Sequence, residues 1–213
     1  TVLAQSFDRS IAEAVGEGMR NDLAAMKIGI FLAPGINIQR NPLCGRNFEY
    51  YSEDPLVAGE MAAAIVKGIQ KDHKAVACIK HFAANNQETN RNANNSVVGQ
   101  RALREIYLEP FRLGVEKGDA MTIMTSYNKI NGVPTADSYD LCTHIAREEW
   151  GFKGLIMTDW NGGSSTPWKS MHAGNDLIMP GGESRVLNIK NGVGYIPPQF
   201  DERGNVLYMR TNS

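Results

Sequence analysis

Asp159 has the clearest chemical reading in the chain: it ends the apolar run Gly154-Leu155-Ile156-Met157-Thr158-Asp159-Trp160. Leu155 to Thr158, bounded by Gly154 and the Asn161-Gly162-Gly163 turn, reads as a strand buried on both faces, because such strands lose polar alternation. A carboxylate at the C-terminal tip of a buried parallel strand stands where α/β folds hold their reacting groups. The competing reading is that Asp159 caps the next helical turn through a backbone N–H. Earlier strands end in a comparable way. Val76-Ala77-Cys78-Ile79 runs into Lys80-His81-Phe82, and Ala120 to Thr125 delivers Ser126-Tyr127-Asn128. Cationic and hydroxyl donors on rigid strand ends can grip polar ligands and hold a neighbouring carboxylate ionised.

Such tips need a frame that repeats strand, loop and helix. Helical spacing predicts helices over Ser10 to Met26, from Asp54-Pro55 to near Lys71, over Arg101 to Glu116, over Ser138 to Trp150 and around Trp168 to His172. Pro110 falls inside the third and should kink it. Ile28 to Ala33 reads as the first clear strand, Asp176 to Pro180 as the fifth, and Val2 to Ala4 as a sixth at the edge. Long polar loops, Asn37 to Ser52 and Ala83 to Gly99, follow strand ends, while returns from helix to strand are short. That asymmetry predicts a parallel α/β fold of the (β/α)8 TIM type. With five to six strands, and a closed barrel needing eight in about 250 residues, the barrel is expected to be incomplete here. We therefore expect barrel sequence over 1–182, its central and C-terminal part, and a linker or extended tail over 183–213.

The bulk numbers narrow the ligand. The 22 basic and 23 acidic residues leave a net charge of -1, so no electrostatic footprint for nucleic acid or anionic lipid is present. No apolar run reaches the length of a membrane span. Cys44, Cys78 and Cys142 show neither metal spacing nor a disulfide framework and read as buried free thiols. No metal or cofactor is expected. The compartment is weakly constrained: the cytoplasm is slightly favoured, and the periplasm or secretion stays open.

At the strand tips the chain resembles glycoside hydrolase family 3, in its β-glucosidase branch. Four motifs carry the resemblance in order: Gly45-Arg46-Asn47-Phe48-Glu49 with Ser52-Glu53-Asp54-Pro55; Lys80-His81-Phe82; Ser126-Tyr127-Asn128 with Asn131-Gly132; and Thr158-Asp159-Trp160. The resemblance runs from about Ala4 to Gly182. It implies that Asp159 is the nucleophile and Trp160 the aromatic that flanks the sugar. Arg46, Lys80, His81 and Arg91 would hold the hydroxyls of the terminal sugar, and Met124 and Tyr127 would line the same subsite. Glu49 is expected to orient Arg46. Two family features are not found: an aspartate on the first strand, and the general acid/base glutamate carried by a second, α/β sandwich domain.

The implied activity is retaining exo-hydrolysis of β-linked oligosaccharides or aryl and alkyl β-glucosides through a glycosyl-aspartate. That chemistry needs one attacking carboxylate and a second carboxyl group about 5 to 5.5 Å away to protonate the leaving oxygen. Arg46, Lys80 and Tyr127 would keep Asp159 ionised, and the indole would present a flat apolar face to the ring. β-Xylosidase or arabinosidase activity is an alternative, as is a silent sugar-binding fragment lacking its acid/base domain. An N-acetylhexosaminidase is disfavoured, since Ala83-Ala84-Asn85-Asn86-Gln87-Glu88 replaces the His-Asp dyad of that branch. The sandwich domain is the expected partner, and a homo-oligomer is left open. His73, His144 and His172 read as solvated or packed.

Overall fold

The computed structural model describes residues 1–194, 199–200 and 206–208, the last two segments as backbone only. A 3-10 turn, Ala4–Ser6, precedes helix α1 (Arg9–Ala25), whose first turn is capped by Asp8. Strand β1 (Ile30–Phe31) follows, then α2 (Pro55–Gln70), where Asp54 accepts from Val57 N at 2.8 Å and Pro55 sits where its missing N–H is harmless. Next come β2 (Val76–Phe82), β3 (Asn95–Ser96), α3 (Gln100–Ala102), a π-helical stretch Leu103–Tyr107 and α4 (Glu109–Glu116). Strand β4 (Thr122–Thr125) leads to the hairpin β5 (Lys129–Ile130) and β6 (Val133–Pro134), a second 3-10 turn Thr135–Asp137 and the π-wound helix Asp140–Glu149. The rest is β7 (Leu155–Met157), a 3-10 turn Trp160–Gly162, α5 (Pro167–Ala173), α6 (Glu183–Gly192), and an antiparallel pair β8 (Gln199–Phe200) and β9 (Val206–Tyr208).

The main sheet has the order β1-β2-β4-β7 and is parallel throughout, with Ile30 opposite Val76, Ile79 opposite Ile123, and Ile123 opposite Ile156. It is an open segment of a (β/α) barrel. Successive residues point to opposite faces of a strand, and the two faces bury different chemistry. Ala77, Ile79, Ile123 and Ile156 face the helices and join the main core with Ile65, Ile69 and Phe111. Cys78, Met124 and Met157 face the barrel interior, packed with Ile30, Leu155 and Met179. The outer layer is held tightly where α1 crosses α2. A Cβ on Gly16 would lie 2.4 Å from Ile65 O, and one on Gly68 2.1 Å from Glu13 O, so only glycine lets the two backbones meet.

Several expectations need correction. Val2 to Ala4 is not an edge strand but the approach to a 3-10 turn. The fifth strand is reduced to one parallel bridge, Met157 to Leu177, reinforced by Thr158 N donating to Leu177 O at 3.0 Å. The first strand shrinks to two residues because it pairs only with β2. Pro110 does not kink one helix; it sits in the first turn of α4, and the chain re-starts there after the π-helical stretch. The tail is not extended from residue 183: Glu183–Gly192 is a helix that packs on α5, where Gly192 abuts the Trp168 ring. Apolar residues along α6 lack a clean period because Val186 and Leu187 stay exposed. The Pro197-Pro198 stretch lies outside the described residues. All three cysteines are free and buried, and burial pushes the Cys78 and Cys142 thiols up to about 12. No helix among the described residues is long and apolar enough to cross a membrane.

Candidate active site

The strand tips converge on one cavity of about 180 Å³, lined by Leu32, Arg46, Lys80, His81, Arg91, Met124, Tyr127 and Asp159. Consecutive residues of a regular strand cannot both face one cavity, yet Lys80 and His81 do. β2 keeps phase up to Lys80, which lies opposite Met124; Phe82, not His81, then lies opposite Thr125. His81 is thus an extra residue in the ladder. After it the alternation is inverted: Phe82 turns outward against Phe111 and Trp150, with ring centroids 5.2 and 5.8 Å away. A bulge of this kind re-aims a side chain, and here it aims an imidazole at the carboxylate.

The capping reading of Asp159 holds, and the same side chain also lines the cavity. Its Oδ1 accepts from Trp160 N at 2.6 Å and caps the 3-10 turn, while its Oδ2 faces His81 Nε2 at 3.8 Å. His81 is 2% exposed. Burial, seconded by Arg46, Lys80 and Arg91, holds its pKa well below the ordinary histidine value, so the ring next to Asp159 is neutral. Its Nδ1 finds no partner among the described residues. Tyr127 lines the same cavity as Asp159; burial, then that adjacent charge, push its hydroxyl up to about 12, which keeps it protonated.

Two carboxylates, Glu49 and Glu88, serve the three cations. Arg46 Nε bonds Glu49 and lies 4.0 Å from Glu88; Lys80 Nζ is 3.9 Å from Glu49; Arg91 bonds Glu88 at 2.9 Å. Burial opposes the Arg46 charge, but the Glu49 hydrogen bond and the neighbouring anionic groups outweigh it and raise its pKa. Arg91 also lies over the Tyr127 ring, 4.6 Å from its centroid. Three cations therefore face three carboxylates, Glu49, Glu88 and Asp159. Such a balanced, half-buried set suits an uncharged ligand rich in hydroxyls better than an ionic one.

Of the residues singled out by sequence, Arg46, Lys80, His81, Arg91, Met124, Tyr127 and Asp159 share this cavity. Trp160 does not; 55% exposed, it lines an adjoining cavity with Arg91, Asn92, Tyr127, Asn161 and Gly163. Larger grooves elsewhere, such as that between Arg40 and Tyr107, bring no carboxylate against a buried histidine. Sequence reasoning missed Glu88, although it is the one acidic residue of the loop 83–99 and stands three residues before that loop's one arginine. Nothing in the sequence marks Asn37, whose role depends on the bulge. Among the described residues no group of three His, Cys, Asp or Glu could hold a metal.

With this geometry in view, comparison with known proteins is direct. The model of the Glycosyl hydrolase family 3 N terminal domain matches residues 1–192. Beta-glucosidase A of Butyrivibrio fibrisolvens is 43% identical over 187 residues, covering 88% of this chain and 22% of that protein. An exo-alpha-(1->6)-L-arabinopyranosidase of Bifidobacterium longum is 46% identical over 202 residues, 93% of this chain and 26% of the relative. The structure of beta-glucosidase 3B from Thermotoga neapolitana in complex with glycerol superposes with a TM-score of 0.87 at 45% identity, over 90% of this chain and 28% of that one. The chain thus spans about a quarter of the length of the relatives it matches. A family model that covers nearly the whole described chain, joined to this sheet order and these strand-tip residues, places the protein in glycosyl hydrolase family 3, as part of its N-terminal barrel domain.

Proposed function

We propose that the full-length protein is a retaining exo-β-glycosidase that releases terminal β-D-glucosyl residues from β-linked oligosaccharides or aryl and alkyl β-glucosides. The observation that carries this reading is Asp159 just beyond β7, sharing one cavity with Tyr127, a neutral His81 and three cations that Glu49 and Glu88 partner from behind. The relatives named as beta-glucosidases support the sugar. In the first step an Asp159 oxygen attacks the anomeric carbon, and the bond to the leaving oxygen breaks as that oxygen takes a proton from a carboxylic acid. In the second, water, deprotonated by the carboxylate that this acid has become, attacks the anomeric carbon and frees Asp159. Arg46, Lys80, His81 and Arg91 hold the hydroxyls of the ring, and Trp160 borders the leaving-group side. The acid belongs to a second, α/β sandwich domain of the full-length protein, a glutamate placed over this face of the barrel.

A second reading, a pentopyranosidase, is supported by the arabinopyranosidase relative at 46% identity. A pentopyranoside lacks the exocyclic hydroxymethyl group but still presents ring hydroxyls to Arg46, Lys80, His81 and Arg91. Both readings are tested by incubating the full-length protein with a 2-deoxy-2-fluoro-β-glucosyl donor, followed by intact-mass measurement and peptide mapping. A glycosyl ester on the peptide containing Asp159 is expected. A folded protein left unlabelled by that donor but active on aryl arabinopyranosides or xylosides would replace the glucosidase reading with the pentosidase; one inert to all three would leave a sugar-binding domain.

A further inference from the structure

The bulge that brings His81 into the cavity creates a problem that one unassigned side chain solves. Because β4 skips His81, the N–H and C=O of that residue have no strand partner, and a buried peptide group left unpaired is costly. Asn37, itself 2% exposed, supplies both bonds: its Oδ1 accepts from His81 N at 2.8 Å, and its Nδ2 donates to His81 O at 2.9 Å. The flanking residue is tied down by main chain alone, with Ile36 N donating to Lys80 O at 2.7 Å and Lys80 N to Pro34 O at 3.1 Å. The amide therefore stands in for a missing strand at the single residue where the ladder fails.

We infer that Asn37 is a positioning residue for the sugar-binding subsite, fixing the bulge that turns His81 toward Asp159 while Lys80 stays on the same side. Without it, regular β pairing of residue 81 becomes competitive, and regular pairing would point the imidazole outward, into space held by Phe111 and Trp150. The inference rests on the glycosidase reading for its kinetic consequence but not for its structural one.

The test uses full-length Asn37→Ala and Asn37→Asp. The aspartate keeps the acceptor for His81 N and loses the donor to His81 O. Active sites are counted by the fluoro-sugar label, and kcat/KM per active site is measured on an aryl β-glucoside and on its ring-deoxy analogues. A fall of roughly 30- to 300-fold is expected for Asn37→Ala, on the scale of a misplaced binding group, and a smaller one for Asn37→Asp. The penalty for each deoxy analogue should shrink in both, because the mispositioned Lys80 and His81 no longer discriminate hydroxyls. Crystal structures of the variants should show the His81 to Asp159 separation, 3.8 Å in the parent, lengthened. Unchanged kcat/KM and discrimination per labelled site, an unmoved His81, or loss of folded protein in both variants would overturn the assignment and leave Asn37 a purely structural amide. If the parent itself takes no label, the glycosidase reading fails, and the crystal structures alone still decide the role of Asn37.

Discussion

β2 passes through two kinds of interior within a few residues, and the contrast explains how the domain is built. At Cys78 it packs in an apolar cluster with Met124 and Met157, and burial holds the thiol protonated. At Lys80 and His81 it faces a cavity where charge is buried against charge, and where the peptide of His81 needs a side chain to complete it. The first region is held by packing, so its residues answer to volume. The second is stable only while its partners are all present, because removing one leaves another buried and unpaired. Packing is concentrated below the strand tips and the candidate site lies at them.

The largest effect expected across this divide is that of Asp159→Asn in the full-length protein. It should lower kcat on an aryl β-glucoside by about 10⁴-fold or more, the scale of losing the proposed nucleophile, while the melting temperature drops only modestly, because the amide oxygen still accepts from Trp160 N. Met157→Ala should do the reverse. Truncating that fully buried side chain should cost about 2 to 5 kcal/mol in denaturant unfolding of the barrel domain, with activity retained per folded molecule. Gly68→Ala drives a methyl into Glu13 O and should cost about 1 to 3 kcal/mol by overpacking, again without altering kcat/KM per active site; an unchanged transition would show that α1 and α2 can slide apart.

Smaller effects probe the cavity side of the same divide. Glu88→Gln removes the ion pair to Arg91 and the nearby anion from Arg46, and kcat/KM should fall about tenfold, the size of one charge-assisted hydrogen bond. The smallest effect is the pH response of His81. Its folded pKa lies below the unfolded value, so the unfolded chain binds the extra proton as acidity increases. Stability is complete above about pH 6.5 and falls below it, by at most about 1.4 kcal/mol per pH unit for this group. Comparing unfolding of the parent and His81→Gln at pH 7 and pH 5 measures that slope, which should flatten in the variant.

Much of this was legible because local rules and tertiary demands agree. β4 and β7 read as apolar runs bounded by turn residues, Asp54-Pro55 announced the start of α2, and the motifs around Arg46, Lys80, Tyr127 and Asp159 marked the strand ends. Reading failed where a segment depends on neighbours distant in sequence. Leu177 pairs at only one bridge, and α6 has no apolar period to announce it.

Patterns a few residues long were enough for the parallel α/β frame, the order of the polar strand tips and the identity of the ionisable groups. Which of those groups meet, how their charges cancel and which face His81 takes were settled only when distant segments packed together. A bulge breaks the two-residue period on which strand reading relies, and the peptide it leaves unpaired is completed by Asn37, forty-four positions away in the chain.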